Sequence, residues 1–341
     1  MDLKDQIQDF AYNALDMDLV GITGVDRLSG APAGHRPGDI LPGAQSVIVM
    51  AVRLTWGAVQ AIYRAHEDGR RDLQSLYAAY GYSLAPNYHL YFAAYRMARL
   101  LERRGHVSTA IQSGPGGGGA PLSHRHAAVA AGLAEFGWSN LAVTPDYGPR
   151  VRWVTVITRA ALPADPLYSG PRLCDRAECR ICVAACPVGA ISAKRSREVE
   201  IGGRQFEYAE LNVVKCRISS EGLTTKSLGL RDLPLPPDPT WQDVDNARDE
   251  AGWKARGEII HPVDRYFCGR CLAYCPIGNE EERRLSTGLS SAVDGGVYAP
   301  APKIDGEDAS ARRVPEDLPR SSREYYAARR RTAGGTADDV G

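Results

Sequence analysis

Residues 174–191 read CDRAECRICVAACPVGAI, four cysteines within thirteen residues and a proline directly after the last. Cys179, Cys182 and Cys186-Pro187 spell C-x2-C-x3-C-P, with Cys174 four intervening residues upstream. Cys268, Cys271 and Cys275-Pro276 repeat the spacing, and Cys216 lies alone between the two copies. All eight cysteines of the chain belong to this pattern, so what the thiols hold decides how the chain is read.

Size and composition narrow the choice. A chain of 341 residues with 44% hydrophobic content can bury a sizeable core, so covalent or metal staples are not needed merely to fold it. The 41 Lys and Arg balance the 41 Asp and Glu, which gives no global field to attract nucleic acid or an anionic membrane. The start, MDLKDQIQDFAYNAL, has no apolar signal core, and the longest strongly apolar run, VIVMAV (47–52), is too short to span a bilayer. A cytoplasmic protein without a membrane partner is expected. In that reducing compartment eight cysteines read as metal ligands or redox groups, not disulfides.

The C-x2-C spacing lets one tight turn present two thiolates to one inorganic cluster. In two-cluster ferredoxins the last cysteine of such a run, just before the proline, ligates the other cluster. That rule predicts a crossed assignment: Cys174, Cys179, Cys182 and Cys275 on one 4Fe-4S cluster, and Cys186, Cys216, Cys268 and Cys271 on the second. Paired C-x2-C knuckles also build all-thiolate zinc sites, and zinc stays open as the structural alternative. One departure stands out. Bacterial ferredoxins place their first cysteine where this chain has Arg176, so Cys174 must reach in from two residues earlier.

The first half reads as α+β. Leu3, Ile7, Phe10 and Ala14 recur at helical spacing, and LVGITGV (19–25) and SVIVMAVRL (46–54) read as buried strands around the Gly- and Pro-rich loop GAPAGHRPGDILPGA (30–44). A helix is expected from Asn87, with Leu90, Met97, Leu100 and Leu101 inward and Gly105 as its stop. After the strand HVSTAI, the run SGPGGGGAP is a break, and Ser123 can cap a helix through HRHAAVAAGLAEFG. NLAVTPDYGPRVRWVTVIT then reads as strand, turn, strand. The end of the chain, including SREYYAARRR, is too poor in large apolar residues to bury a core.

Taken in order, these segments resemble the corrinoid-dependent iron–sulfur reductases, the superfamily that includes reductive dehalogenases and epoxyqueuosine reductase. The likeness covers most of residues 15–280. It rests on APAGHRPGDILPGAQSVIV, the Y-x5-YH pattern of Tyr82, Tyr88 and His89, AGLAEFGWSNLAVTPDYGPRVR, and the doubled cysteine motif with Cys216 between. The resemblance implies a nitroreductase-like corrinoid-binding core (1–165), a ferredoxin-like module with two 4Fe-4S clusters (166–285) and a low-complexity tail (286–341). It also implies a base-off cobalamin that receives electrons from the nearer cluster. Nothing in composition or periodicity shows cobalamin.

The chain departs from both branches of that superfamily. Where epoxyqueuosine reductases carry an aspartate before an S-A-P-like stretch, the match to Gly119, Ala120 and Pro121 leaves Gly118; where dehalogenases carry Lys or Arg, Trp138 stands. Tyr82, Tyr88 and His124 are the candidate catalytic residues. A phenol beside a cation can release a proton, and a histidine at a helix start can act as acid or donor. Satisfied core tyrosines and a surface histidine are the plain alternatives; His126 shares the latter, and His89 reads as a packing residue. Trp138, Asn140, Thr144, Arg150 and Arg152 match family positions near the corrin and its phosphate-bearing tail, for which Arg is suited.

The expectation is an oxidoreductase that cleaves a carbon–halogen or related carbon–heteroatom bond of a small, aromatic substrate through cob(I)alamin. Reduced ferredoxin, flavodoxin or another low-potential donor would supply electrons, tRNA is disfavoured as a partner, and a homodimer is compatible. Two alternatives stay open: an epoxyqueuosine reductase acting on tRNA, and an electron-transfer or corrinoid-handling protein without its own substrate.

Overall fold

The computed structural model describes residues 2–112, 120–229, 232–250 and 268–278. The glycine run with Gly118, and the chain after 278, lie outside the described residues. In chain order the elements begin with α1 (Leu3–Asp9), β1 (Leu19–Gly24), α2 (Pro37–Ile40), β2 (Ser46–Arg53), α3 (Trp56–Glu67), α4 (Arg71–Tyr77), α5 (Ala85–Arg103), β3 (Ser108–Ile111), α6 (His124–Ala130), β4 (Glu135–Phe136), β5 (Ala142–Val143) and β6 (Val151–Thr158). They continue with α7 (Ile181–Ala185), β7 (Ile191–Ile201), β8 (Arg204–Leu211), α8 (Val213–Ser220), α9 (Trp241–Glu250) and α10 (Arg270–Ala273).

The fold is mixed α and β around a four-stranded antiparallel sheet in the order β1-β2-β6-β3. β2 is buried from Ser46 to Val52 because both faces of the sheet are covered. Strand alternation separates the faces. Val47, Val49 and Ala51 join Trp153 and Ile157 against α6, whereas Ile48, Met50, Val154 and Val156 meet the helices at the other face. There α5 presents Leu90, Ala94, Met97 and Leu101 at three- and four-residue intervals, all at 1% exposure or less, and α1 adds Ile7.

Two helices end differently from the sequence pattern. The first continues past Asp9 as a π-turn, Phe10–Ala14, and α6 stops at Ala130 because Gly132 takes φ +66°. Ser123 precedes α6, but its hydroxyl bonds the His126 ring at 2.7 Å and leaves the backbone N–H groups of the first turn to other partners.

Two additions shape the site. α3, α4 and a following π-turn (Ala78–Ser83) make a platform on which α10 sits, with Trp56, Ile62, Tyr63 and Tyr77 packed against Leu272 and Ala273. β7 and β8 form a hairpin turned by Gly202 and Gly203, both at positive φ as the tightest turns require. Its Phe206 and Tyr208 pack on Phe136, beneath α6. Among the described residues no helix is long and apolar enough to cross a membrane.

Candidate redox site

The first cysteine segment is fixed by local bonds. Asp175 accepts N–H donors from Ala177 and from Cys179, on its side chain and its carbonyl respectively, and so closes the turn that presents Cys179. The Glu135 carboxylate accepts from the Leu173 N–H at 2.9 Å, and the Trp138 N–H points at the Cys174 sulfur at 3.3 Å. After α7, the Ala190 N–H reaches the Cys186 sulfur at 3.2 Å. Such N–H···S contacts favour the anionic form of a thiol.

The second segment is carried by α10 and by Cys275 beyond it. Arg150 donates to the carbonyls of Leu272, Cys275 and Ile277, and Tyr63 donates its hydroxyl to the carbonyl of Ala273. At Gly269, φ +151°, an added Cβ would meet Ile62 and Tyr77 at 2.8 Å, so only glycine fits where the segment enters.

α7 and α10 lie against each other, and the apolar group of Trp138, Ile191 and Ala209 is shared with Cys174, Cys182, Cys186 and Cys271. The thiols influence one another within each segment and across the two, Cys182 acting on Cys271 as well. Burial pushes Cys182 up to about 12, and Cys275, Cys174 and Cys179 add to the shift. Cys275 is likewise pushed up to about 12, first by burial, with Arg150 opposing and Cys174 and Cys179 reinforcing. Burial holds Cys271 well above its ordinary value, reinforced most strongly by Cys268 and Cys216. Cys216, the exposed member, rises to about 12 through crowding by protein atoms and then Cys268 and Cys186.

Contact and mutual electrostatic influence thus place the eight thiols in one neighbourhood, Cys182 and Cys275 beside Cys174 and Cys179, and Cys216 and Cys271 beside Cys268 and Cys186, with Cys271 also beside Cys182. The thiols of Cys174, Cys182, Cys216, Cys271 and Cys275, raised above their ordinary values, stay protonated at neutral pH unless a cationic centre takes them as thiolates. That demand fits resident iron–sulfur groups. Among the described residues no three His, Cys, Asp or Glu side chains converge on one ion.

A cleft of about 200 Å³ adjoins the second segment at Leu272, walled by Asn87, His124, Arg125, Arg152 and Trp153. His124 bonds the Gln112 carbonyl at 2.8 Å through Nε2 and Thr155 at 3.2 Å through Nδ1, so Nε2 carries the proton and the ring accepts from the threonine. Burial lowers its pKa and keeps it neutral. Arg152 lies 3.6 Å over the Tyr82 ring, and its Nε and Nη2 are buried without a hydrogen-bond partner among the described residues. On the other side of the α6 start, Ser123 and His126 face a second cavity of about 530 Å³ bordered by Arg27, His35, Arg197 and Tyr208.

Of the residues singled out from the sequence, Tyr82, His124 and Arg152 come together at the cleft. Tyr88 and His89 are exposed, and Tyr88 stacks edge-on against Tyr91. Trp138 is 6% exposed among the thiols and donates its indole N–H to Ser192. Asn140 takes φ +63° and donates to Ala209, and Thr144 is wholly buried, stapling the 144–148 turn. Arg150 serves the second cysteine segment. Sequence reasoning missed Asn87 and Arg125; the signals were Pro86 opening a helix directly before the one, and the histidines flanking the other.

For a corrinoid, the orphaned donors of Arg152 and the buried, unpartnered Oδ1 of Asn140 suit amide side arms. The enclosed volume does not fit a corrin ring with its side arms: the cleft holds about 200 Å³, room for a single aromatic ring.

No family model matches the chain, and no curated protein matches it. Solved structures are similar to it in two groups, epoxyqueuosine reductases and a reductive dehalogenase. Epoxyqueuosine reductase from Bacillus subtilis aligns at TM-score 0.48 and 18% identity over 82% of this chain and 66% of that one. The Streptococcus thermophilus enzyme gives 0.49 and 16% over 82% and 67%. A catabolic reductive dehalogenase in complex with 3-bromo-4-hydroxybenzoic acid gives 0.45 and 21% over 63% and 28%. The chain spans about two thirds of the length of these epoxyqueuosine reductases and under a third of the dehalogenase.

Proposed function

We propose that the chain is an iron–sulfur reductase that carries electrons through two 4Fe-4S clusters to a small substrate at the Leu272 cleft. The observation that supports it is the gathering of the eight thiols in one neighbourhood around α7 and α10, with Leu272 joining one cysteine segment to the cleft. The clusters, when bound, supply one-electron transfer at low potential. The reaction we infer is reductive cleavage of a carbon–halogen or related carbon–heteroatom bond: two electrons and one proton enter, a carbon–hydrogen bond forms, and the heteroatom leaves with its bonding pair. Arg152 offers its buried N–H groups to a polar group of the substrate, and its position over Tyr82 places a phenol beside that anchor for the proton. His124 is neutral and committed to Gln112 and Thr155, so its part is to hold the cleft wall.

Cobalamin belongs to this proposal through the sequence resemblance alone, and no step is derived through it. The test is anaerobic production with cobalamin supplied, followed by iron, sulfide and corrinoid analysis and turnover of a halogenated aromatic panel with a strong reductant. Bound iron and dehalogenated product are expected. Conversion of epoxyqueuosine in tRNA, with the panel untouched, would reverse the substrate assignment. Iron-free, zinc-bearing protein would end the reading.

A further inference from the structure

Arg150 is 1% exposed and ranks among the largest fully buried side chains. Its Nη1 donates to Leu272 at 3.2 Å and to Cys275 at 2.9 Å, and its Nη2 to Ile277. All three acceptors are backbone carbonyls of the second cysteine segment, so a permanent cation is pressed against the loop that carries Cys275. Burying a charge carries a desolvation cost. A charge recovers that cost when an anion lies close by. Four thiolates around an iron–sulfur core make such an anion, and each electron taken up deepens its charge.

We propose that Arg150 is a positioning residue that raises the reduction potential of the cluster held by Cys174, Cys179, Cys182 and Cys275, so that an arriving electron settles there in preference to the neighbouring cluster. This rests on the iron–sulfur reading above. In the step concerned, a low-potential one-electron donor loses one electron and the cluster gains it; no bond forms or breaks, and the cluster becomes more negative by one charge. A buried cation stabilises the reduced side of that balance.

The experiment is a redox titration of the anaerobically loaded full chain, followed by electron paramagnetic resonance. Cys182→Ser identifies which signal belongs to the first set. In the parent protein the two clusters should titrate apart, with the Cys275 cluster higher. Arg150→Met should lower that cluster by at least tenfold in its reduced-to-oxidised ratio at fixed poise, about 59 mV for one electron. Arg150→Lys should restore most of it, and the second cluster should move much less. An iron-loaded Arg150→Met protein with unshifted potential overturns the proposal, as does an equal fall in the Lys variant, since a purely structural role does not distinguish charge. If Arg150→Met loses iron, Arg150→Gln reads the same charge deletion. If both lose it, the parent decides: a Cys275 cluster at or below its neighbour refutes the assignment. Iron-free parent protein defeats the iron–sulfur reading itself, a different failure.

Discussion

The chain writes C-x2-C-x3-C-P-x-G twice and holds the two copies in different ways. The first, 179–189, is fixed by its own surroundings: the Asp175 turn, the Glu135 carboxylate and the β7/β8 hairpin, whose Asn212 N–H reaches the Ala190 carbonyl at 2.8 Å. The second, 268–278, is fixed by the distant core, through Arg150, Tyr63 and two close backbone approaches at Gly269 and Gly278. A ligand motif therefore specifies its turn and not its anchorage, and the two copies should fail under different substitutions.

What they share should show the largest effect. If each proposed set holds one 4Fe-4S group, Cys271→Ser and Cys182→Ser each remove one ligand from one group, and each should release about half of the bound iron and abolish turnover. Iron per chain in purified variants checks this. Loss of all iron from either variant would mean that the two sets do not assemble independently.

The glycines that close the two motifs give the sharpest contrast. Gly189 has φ +60° and open space around the position of a Cβ; Gly278 has φ +71°, but there a Cβ would fall onto the backbone of Tyr147 and Gly148. Gly189→Ala should cost about 1–2 kcal/mol, the left-handed penalty alone. Gly278→Ala should exceed 3–4 kcal/mol or so, because backbone must move as well. Denaturant midpoints measure both, and equal losses would erase the distinction between local and distant anchorage.

Acid should loosen the first region selectively. His126 bonds Ser123 and approaches Tyr208 of the hairpin at 3.3 Å, and burial, then Arg125, lowers its pKa to about 4. An unfolded histidine binds its proton near 6.5. Between roughly pH 6.5 and 4 the unfolded state thus holds more protons, and stability present above that window is lost as pH falls through it, on the order of 2 kcal/mol. His126→Gln should flatten this slope, read as melting temperature against pH. An unchanged slope would place the acid sensitivity elsewhere.

How much of this was legible follows residue pattern. The run SVIVMAVR announces a strand buried on both faces, and β1, β3, β6 and α5 lie where their patterning puts them. The hairpin was harder to see. Its middle is solvated and charged, so the apolar pairs Val199/Ile201 and Phe206/Tyr208 and the Gly202-Gly203 turn are the signals present. The α3–α4 platform carries apolar residues at helical spacing, Val59, Ile62 and Tyr63, but its purpose is to receive α10, some 200 residues later in the chain. Arg150 and Arg152 look alike on one strand edge. Nothing local says that one will meet carbonyls 122 to 127 residues away while the other keeps unpartnered nitrogens at a cleft.

The smallest effect expected comes from trimming one anchor from each region. Glu135, 7% exposed, accepts from the Leu173 N–H and from Arg204 at 3.0 Å; Glu135→Gln keeps one acceptor oxygen and turns the other into a donor that faces an N–H, so one of the two bonds is lost, a loss of about 1–2 kcal/mol. Tyr63→Phe removes only the hydroxyl that meets the Ala273 carbonyl, while the ring keeps its edge contact with Tyr274 at 4.9 Å. That change should cost about 1 kcal/mol, since α10 remains held by Arg150 and by packing. Because the anchors act on different cysteine segments and share no partner, the double variant should lose the sum of the two within about 0.5 kcal/mol. A marked excess in a double-mutant cycle would mean that loosening either segment loosens the other through the thiols between them, so that the two copies form one cooperative unit.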